Sequence, residues 1–167
     1  MTERLYAGQV LSGYRLEGSA GKGGFGMVLK ASRIKDGKVV ALKVLRPKHH
    51  GDLRREKQLL NEGKILRTLD HPRILRCLDV GRAGAWSFLV LPWVDGRPLS
   101  QVLGKGGLEL KLALDCAFQI LEALAYVHRK GMIHQDVKPS NMLIDARGKC
   151  FLFDFGLAVT RTDSLKL

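Results

Sequence analysis

Cysteine is scarce and odd in number: Cys77, Cys116 and Cys150 are the only three, and no two are spaced as C-x-x-C. Such a set supports neither a disulfide framework nor a zinc ribbon, and it points to reduced thiols in a cytoplasmic setting. Long apolar runs are missing as well. Nothing approaches the roughly 18 consecutive apolar residues of a membrane-span candidate. The opening Met1-Thr2-Glu3-Arg4-Leu5 lacks the apolar core of a secretory signal. Secreted, membrane-spanning and metal-ribbon classes are therefore not expected. There is also no internal repeat and no low-complexity tract.

Acidic residues are in deficit, with 16 Asp and Glu against 28 Lys and Arg, a formal net charge of +12 on 167 residues. Apolar residues make up 46% and charged residues 26%, the balance of a globular chain forming one domain or two small lobes. Most of the positive excess falls in the first 95 residues, but it is spread out. The tightest basic run (Arg46, Lys48, Arg54, Arg55, Lys57) also contains Asp52 and Glu56. A solvated surface with some attraction for anions fits this better than a specific nucleic-acid face.

The first third alternates like a sheet. Tyr14–Gly18, Gly26–Ser32 and Lys38–Leu45 read as strands, the last two joined by a turn at Lys35-Asp36-Gly37-Lys38. From Leu53 to Leu69 the period changes: Leu59, Glu62, Leu66 and Leu69 recur at helical spacing until His71-Pro72 stops them. Ile74–Val80 and Trp86–Val94 read as two further strands, the second nearly all apolar and so central. The expectation is a five-stranded antiparallel sheet with one helix. Asp95-Gly96-Arg97-Pro98 reads as a hinge or loop. Lys111–Lys130 is the clearest helix, with Leu114, Ala117, Leu121, Leu124 and Val127 on one face and Gly131 as its C-terminal stop.

Three constellations carry chemistry. Gly21-Lys22-Gly23-Gly24-Phe25-Gly26-Met27-Val28 contains G-x-G-x-x-G-x-V, in which backbone N–H groups can approach phosphate oxygens with no Cβ in the way. Alone it is a weak signal, shared with plain hairpins. A dinucleotide fold would need a helix directly after the glycines, and a Walker A loop would need Ser or Thr after its lysine; neither condition is met. Val40-Ala41-Leu42-Lys43 places a lysine in an apolar strand. Glu62, inward by its spacing, is an available partner, although either residue alone could simply be solvated. The most specific piece is Ile133-His134-Gln135-Asp136-Val137-Lys138-Pro139-Ser140-Asn141, followed thirteen residues later by Asp154-Phe155-Gly156. Asp136 beside a lysine can orient a hydroxyl and accept its proton. Asn141 and Asp154 offer the hard oxygens that Mg²⁺ prefers.

In this order, from about Tyr14 to Ala158, the motifs resemble the eukaryotic-type protein kinase family, in its bacterial Ser/Thr branch. The resemblance implies an α+β fold: a kinase N-lobe over 14–94, with its five-stranded antiparallel sheet and one helix, and the first part of a mainly helical C-lobe over 95–167. It implies ATP and Mg²⁺ as cofactors and a protein Ser/Thr hydroxyl as acceptor, since Lys138 stands two residues after Asp136. Gly21, Lys22, Gly23, Gly24, Phe25 and Gly26 would cover the ATP phosphates, and Lys43, paired with Glu62, would hold the α- and β-phosphates. Val28, Ala41 and Leu143 would flank adenine, with Leu91 as gatekeeper and Pro92 and Val94 offering hinge backbone. Asp136 would be the base, Lys138 would steady the γ-phosphate, and Asn141 and Asp154 would bind Mg²⁺. His134, Phe155 and Leu66 would form a regulatory stack.

Two departures stand out. Gln135 occupies a position where many relatives carry arginine to meet a phosphorylated activation loop, so control by that pairing is not expected. Only eleven residues follow Gly156, so the family's activation segment, Ala-Pro-Glu element and later helices are not among them. An exposed apolar face on the Lys111–Lys130 helix is the expected consequence, to be covered by a partner or a longer parent chain. A non-catalytic ATP-binding or interaction fragment is the alternative reading.

Overall fold

A computed structural model describes residues 5–22, 26–45, 49, 51–104 and 106–160, with the backbone alone for Lys22. The chain divides into two units, one of Met1–Arg67 with Cys77–Trp93 and one of Thr68–Arg76 with Val94–Leu167. The contiguous 14–94 and 95–167 split read from the sequence thus differs from the structure at 68–76, which groups with the second unit, and at Val94.

The first unit is built on β1 (Val10–Leu11), β2 (Tyr14–Lys22), β3 (Gly26–Arg33), β4 (Val39–Leu45), β5 (Asp79–Ala83) and β6 (Trp86–Pro92). They form one antiparallel sheet in the order β1-β2-β3-β4-β6-β5. Six strands replace the expected five because Val10–Leu11 pairs with Arg15 and Tyr14. β6, apolar throughout, lies inside the sheet between β4 and β5. The β3–β4 turn closes on Asp36, which accepts the Lys38 N–H at 3.2 Å and the Arg33 guanidinium at 2.8 and 2.5 Å.

Alternation then sorts the strands into two faces. Val40, Leu42 and Val44 of β4 join Leu29, Ala31, Trp86, Phe88 and Val90 in one buried cluster. Tyr14 packs edge-on against Phe88, with centroids 6.1 Å apart, and its hydroxyl donates to Asp79 at 3.2 Å. The opposite face of β4 presents Ala41 and Lys43. Helix α1 (Leu53–Thr68) starts at Asp52, whose carboxylate accepts the N–H groups of Arg54 and Arg55 at 3.1 and 3.2 Å, as an N-cap residue does. It buries Leu59, Glu62, Gly63 and Leu66.

In the second unit the segment expected as strand Ile74–Val80 behaves differently. Its first half bonds to β10 (Cys150–Leu152): the Leu75 N–H donates to Leu152 O at 3.2 Å, and the Leu152 N–H to Arg73 O at 2.7 Å. Strand β5 begins only at Asp79. Ile74, Leu75 and Cys77 are buried either way, so the apolar pattern alone does not reveal where the backbone pairs. Asp95–Pro98 is likewise more than a loop. β7 (Gly96–Pro98) pairs with β9 (Met142–Asp145), and a Cβ on Gly96 would lie 2.6 Å from Ile144 O. β9 also pairs with β10, and β8 (Met132–Ile133) pairs with β11 (Val159–Thr160).

A short helix α2 (Leu99–Leu103) precedes the long α3 (Leu110–Arg129). Gly131 follows α3 at φ +72°, the left-handed geometry that lets its N–H return to His128 O at 2.9 Å. α3 buries Cys116, Ile120, Ala123 and Val127. A second apolar stripe, Leu110, Leu114, Phe118 and Leu121, is 50–73% exposed. The single face drawn from sequence therefore splits, with Leu114 and Leu121 outward and Val127 inward.

Phe88, 1% exposed at the centre of the first unit's core, supplies a test of that packing. Phe88→Ala is expected to lower the unfolding free energy by about 3–5 kcal/mol, read from urea titration.

Candidate functional site

In the first unit the register gathers several of the singled-out residues. Val28 stands opposite Lys43, Ala41 opposite Leu91, and Lys43 opposite Leu89, so Val28, Ala41, Lys43 and Leu91 share one face. Pro92 pairs with Val40 and belongs to the other. Gly21 and Lys22 end β2 and Gly26 opens β3; Gly23, Gly24 and Phe25 and the Lys22 side chain lie outside the described residues. The two described glycines differ in kind. A Cβ on Gly26 would lie 2.7 Å from Val44 O, so packing alone demands glycine there, whereas Gly21 has open space around it.

Lys43 reaches across to α1. Its ammonium donates to both Glu62 oxygens, at 2.7 and 2.9 Å. Glu62 is 2% exposed, and a carboxylate that deep stays ionised only with a partner. The lysine in the apolar strand and the inward acid are thus one unit.

In the second unit the 133–141 segment is held from beneath by His134, 1% exposed. One ring nitrogen, Nδ1, accepts the Asp136 N–H at 3.2 Å; the other, Nε2, donates to Phe153 O at 3.2 Å. That pattern suits the neutral imidazole with its proton on Nε2, since protonating Nδ1 would set two N–H groups against each other. Burial pushes its pKa below the ordinary 6.5 in the same sense. The ring packs edge-on against Phe155 at 4.5 Å. Leu66, the third expected stack member, is fully buried in the first unit.

Asp136 anchors the polar cluster. Its Oδ2 accepts Lys138 Nζ at 2.7 Å and Asn141 Nδ2 at 2.8 Å, and its carbonyl accepts the same Asn141 amide at 2.9 Å. The Lys138 ammonium, aided by the amide, holds the Asp136 carboxyl below the usual carboxylate range. With Asn141 Nδ2 spent on two acceptors, its Oδ1 accepts no hydrogen bond from the described residues. Asp136 Oδ1 accepts no hydrogen bond from the described residues. Gln135 and Asp154 hold left-handed φ values of 63° and 65°, uncommon for side-chain-bearing residues and characteristic of constrained sites. Leu143 lies on β9 opposite Phe151 and Pro98.

Sequence reading gives Leu89 no role beyond opening the hinge strand, although it stands beside Lys43, and it does not single out Gly63, which follows Glu62. A lone glycine inside a helical run was the available signal for the second.

The chain belongs to the protein kinase family: the protein kinase domain matches residues 14–166. It is 37% identical over 153 residues to serine/threonine-protein kinase pkn2 of Myxococcus xanthus, covering 89% of this chain and 18% of that protein. To serine/threonine-protein kinase PknA of Mycobacterium tuberculosis it is 37% identical over 158 residues, covering 90% and 37%. CBL-interacting protein kinase 21 of Oryza sativa is 32% identical over 146 residues, covering 87% and 28%. The chain spans well under half the length of each.

The neutral, buried His134 sets a pH dependence. Below about 6.5 the unfolded chain binds a proton that the folded chain refuses, so stability is expected to fall as pH drops from 6.5 towards the folded pKa. His71, also lowered chiefly by burial, adds in the same direction. Urea unfolding at a series of pH values reads the slope, at most about 1.4 kcal/mol per pH unit from His134. Imidazole NMR should show His134 still neutral where a free histidine has titrated.

Proposed function

We propose that this chain is the ATP-binding and catalytic part of a serine/threonine protein kinase, with 14–94 serving as N-lobe and 95–167 as the first part of the C-lobe. The observation that carries the reading is the Asp136 carboxylate: one oxygen is engaged by Lys138 and Asn141, and the other is open. An acid whose idle oxygen is held in place by its occupied one suits the orienting of a Ser or Thr hydroxyl and the acceptance of its proton. In the transfer, the hydroxyl oxygen bonds to the γ-phosphorus, the bridge to the β-phosphate breaks, ADP leaves, and the hydroxyl proton passes to Asp136. Lys138 would offset charge on the γ-phosphoryl group.

Lys43, steadied by Glu62, would hold the α- and β-phosphates, which the glycine-rich residues 21–26 would cover. Val28, Ala41 and Leu91, which share one face of the sheet, would receive the adenine. The Val94 carbonyl accepts the Gly96 N–H at 3.0 Å, and the Val94 N–H would be offered to the base; Pro92 can contribute only its carbonyl. Among the described residues no group of three or more His, Cys, Asp or Glu side chains is placed to hold a metal. Mg²⁺ itself takes one or two protein oxygens and completes its shell with phosphate and water. Asn141 Oδ1 and the Asp154 carboxylate would supply those oxygens, and the ion would neutralise phosphate charge. The Ser/Thr acceptor rests on Lys138 and on the names of the relatives. The exposed Leu114–Phe118–Leu121 stripe is the surface that a partner or parent chain would cover. Among the described residues no helix is long and apolar enough to cross a membrane.

Three experiments test the reading. Mg²⁺-ATP at about 100 times its dissociation constant should stabilise the purified chain by about 2.7 kcal/mol; a melt blind to nucleotide would count against a formed site. Transfer of labelled γ-phosphate to a protein substrate should fall about 10²–10⁴-fold in Asp136→Asn, and wild-type transfer in that variant would sink the base assignment. Lys43→Met should abolish transfer and also lower stability by about 3–5 kcal/mol, because it strands a buried carboxylate. Pairing it with Glu62→Leu should restore stability, read by urea titration, and leave transfer lost.

A further inference from the structure

We propose that Gly63 is a positioning residue: its missing side chain lets α1 lie close enough to the sheet for Glu62 to hold Lys43. Gly63 sits within the sixteen-residue α1, where glycine is the poorest helix former apart from proline. Helix propensity therefore does not account for it, and packing does. A Cβ there would lie 2.5 Å from Val80 Cγ2 and 3.2 Å from Leu89 Cδ1. Ordinary carbon contacts lie at about 3.5–4.0 Å, so an alanine would have to lift the helix by roughly 1 Å or displace both side chains. Neither yields readily. Val80 is β-branched and stiff at χ1, and Leu89 is fully buried.

The same two residues tie this contact to the site. Leu89 is the cross-strand partner of Val80 on one side and of Lys43 on the other. The surface against which Gly63 rests is thus continuous with the strand position from which Lys43 reaches Glu62, one residue from Gly63. With both Nζ–O distances already at 2.7 and 2.9 Å, a lift of roughly 1 Å takes the pair out of hydrogen-bonding range. The consequence for phosphoryl transfer rests on the kinase reading above; the consequence for the ion pair does not.

The test compares the full chain with Gly63→Ala, Val80→Ala and the double variant, reading acylation of Lys43 by an amine-directed reagent in peptide mass spectra, normalised to exposed Lys38. Only the neutral amine acylates, and a carboxylate at hydrogen-bonding distance favours the ammonium. Gly63→Ala is expected to raise Lys43 labelling several-fold, up to roughly tenfold if the amine's pKa falls by one unit. Val80→Ala should label like wild type. The double variant should return to within about twofold of it, because the 2.5 Å contact is gone and the remaining 3.2 Å contact with Leu89 asks for a shift of only a few tenths of an ångström.

Wild-type labelling in Gly63→Ala, or no return in the double variant, would overturn the proposal. If Gly63→Ala does not fold, a folded double variant with wild-type labelling supports it, and an unfolded double variant counts against it. Phosphate transfer measured in parallel separates the two readings. If the wild-type chain neither gains stability from Mg²⁺-ATP nor transfers phosphate while Lys43 labelling responds to Gly63 as stated, the kinase reading fails and the positioning role stands.

Discussion

A carboxylate buried to 2% exposure has to be answered by a cation, and that requirement organises the first unit. Glu62 cannot turn to water, so α1 has to present it where Lys43 can donate two hydrogen bonds. The demand propagates outward. Lys43 has to stand on the α1-facing side of β4, which sends Val40, Leu42 and Val44 into the opposite core. The helix has to come close, and at Gly63 it meets Val80 and Leu89 with no room for a methyl group. Charge pairing, strand parity and helix spacing express one constraint.

The second unit meets an analogous problem at His134 with a neutral group. His134 is as buried as Glu62 but stays neutral, with each ring nitrogen spent on a backbone group. One of those groups belongs to Asp136 and the other to Phe153, next to Asp154. A single imidazole therefore ties the two acids of the site to a common support. Asn141 then completes the polar cluster by bridging the Asp136 carbonyl and carboxylate. Left-handed backbone at Gln135 and Asp154 shows that this support is strong enough to hold conformations which side-chain-bearing residues otherwise avoid.

Much of this was legible in the residue order. The β3–β4 turn was visible in Asp36-Gly37, the helical stretch in the spacing of Leu59, Glu62 and Leu66, and the interior strand in the apolar run of β6. The family was visible in the sequence of glycine turn, lysine, glutamate and the 133–156 motifs, and the protein kinase domain match over 14–166 bears that out. Ile74–Val80 was misread because apolar content marks burial and not partner. Gly96–Pro98 was misread because glycine and proline usually mark a turn, although here the glycine admits the close approach of Ile144.

What the sequence by itself determined is whatever a few neighbouring residues can encode: turn chemistry, helix and strand periods, and the supply of acids, amides and cations at fixed spacings. These depend on local backbone sterics and on side-chain valence, which travel with the chain wherever it goes. Only the tertiary structure decided which oxygen of Asp136 is left open, which tautomer His134 takes, how α3 divides its apolar residues between an inner and an outer face, and why Gly63 has no side chain. Each of these turns on which distant group fills a given volume or satisfies a given donor, and that is settled only when segments remote in sequence compete for the same space.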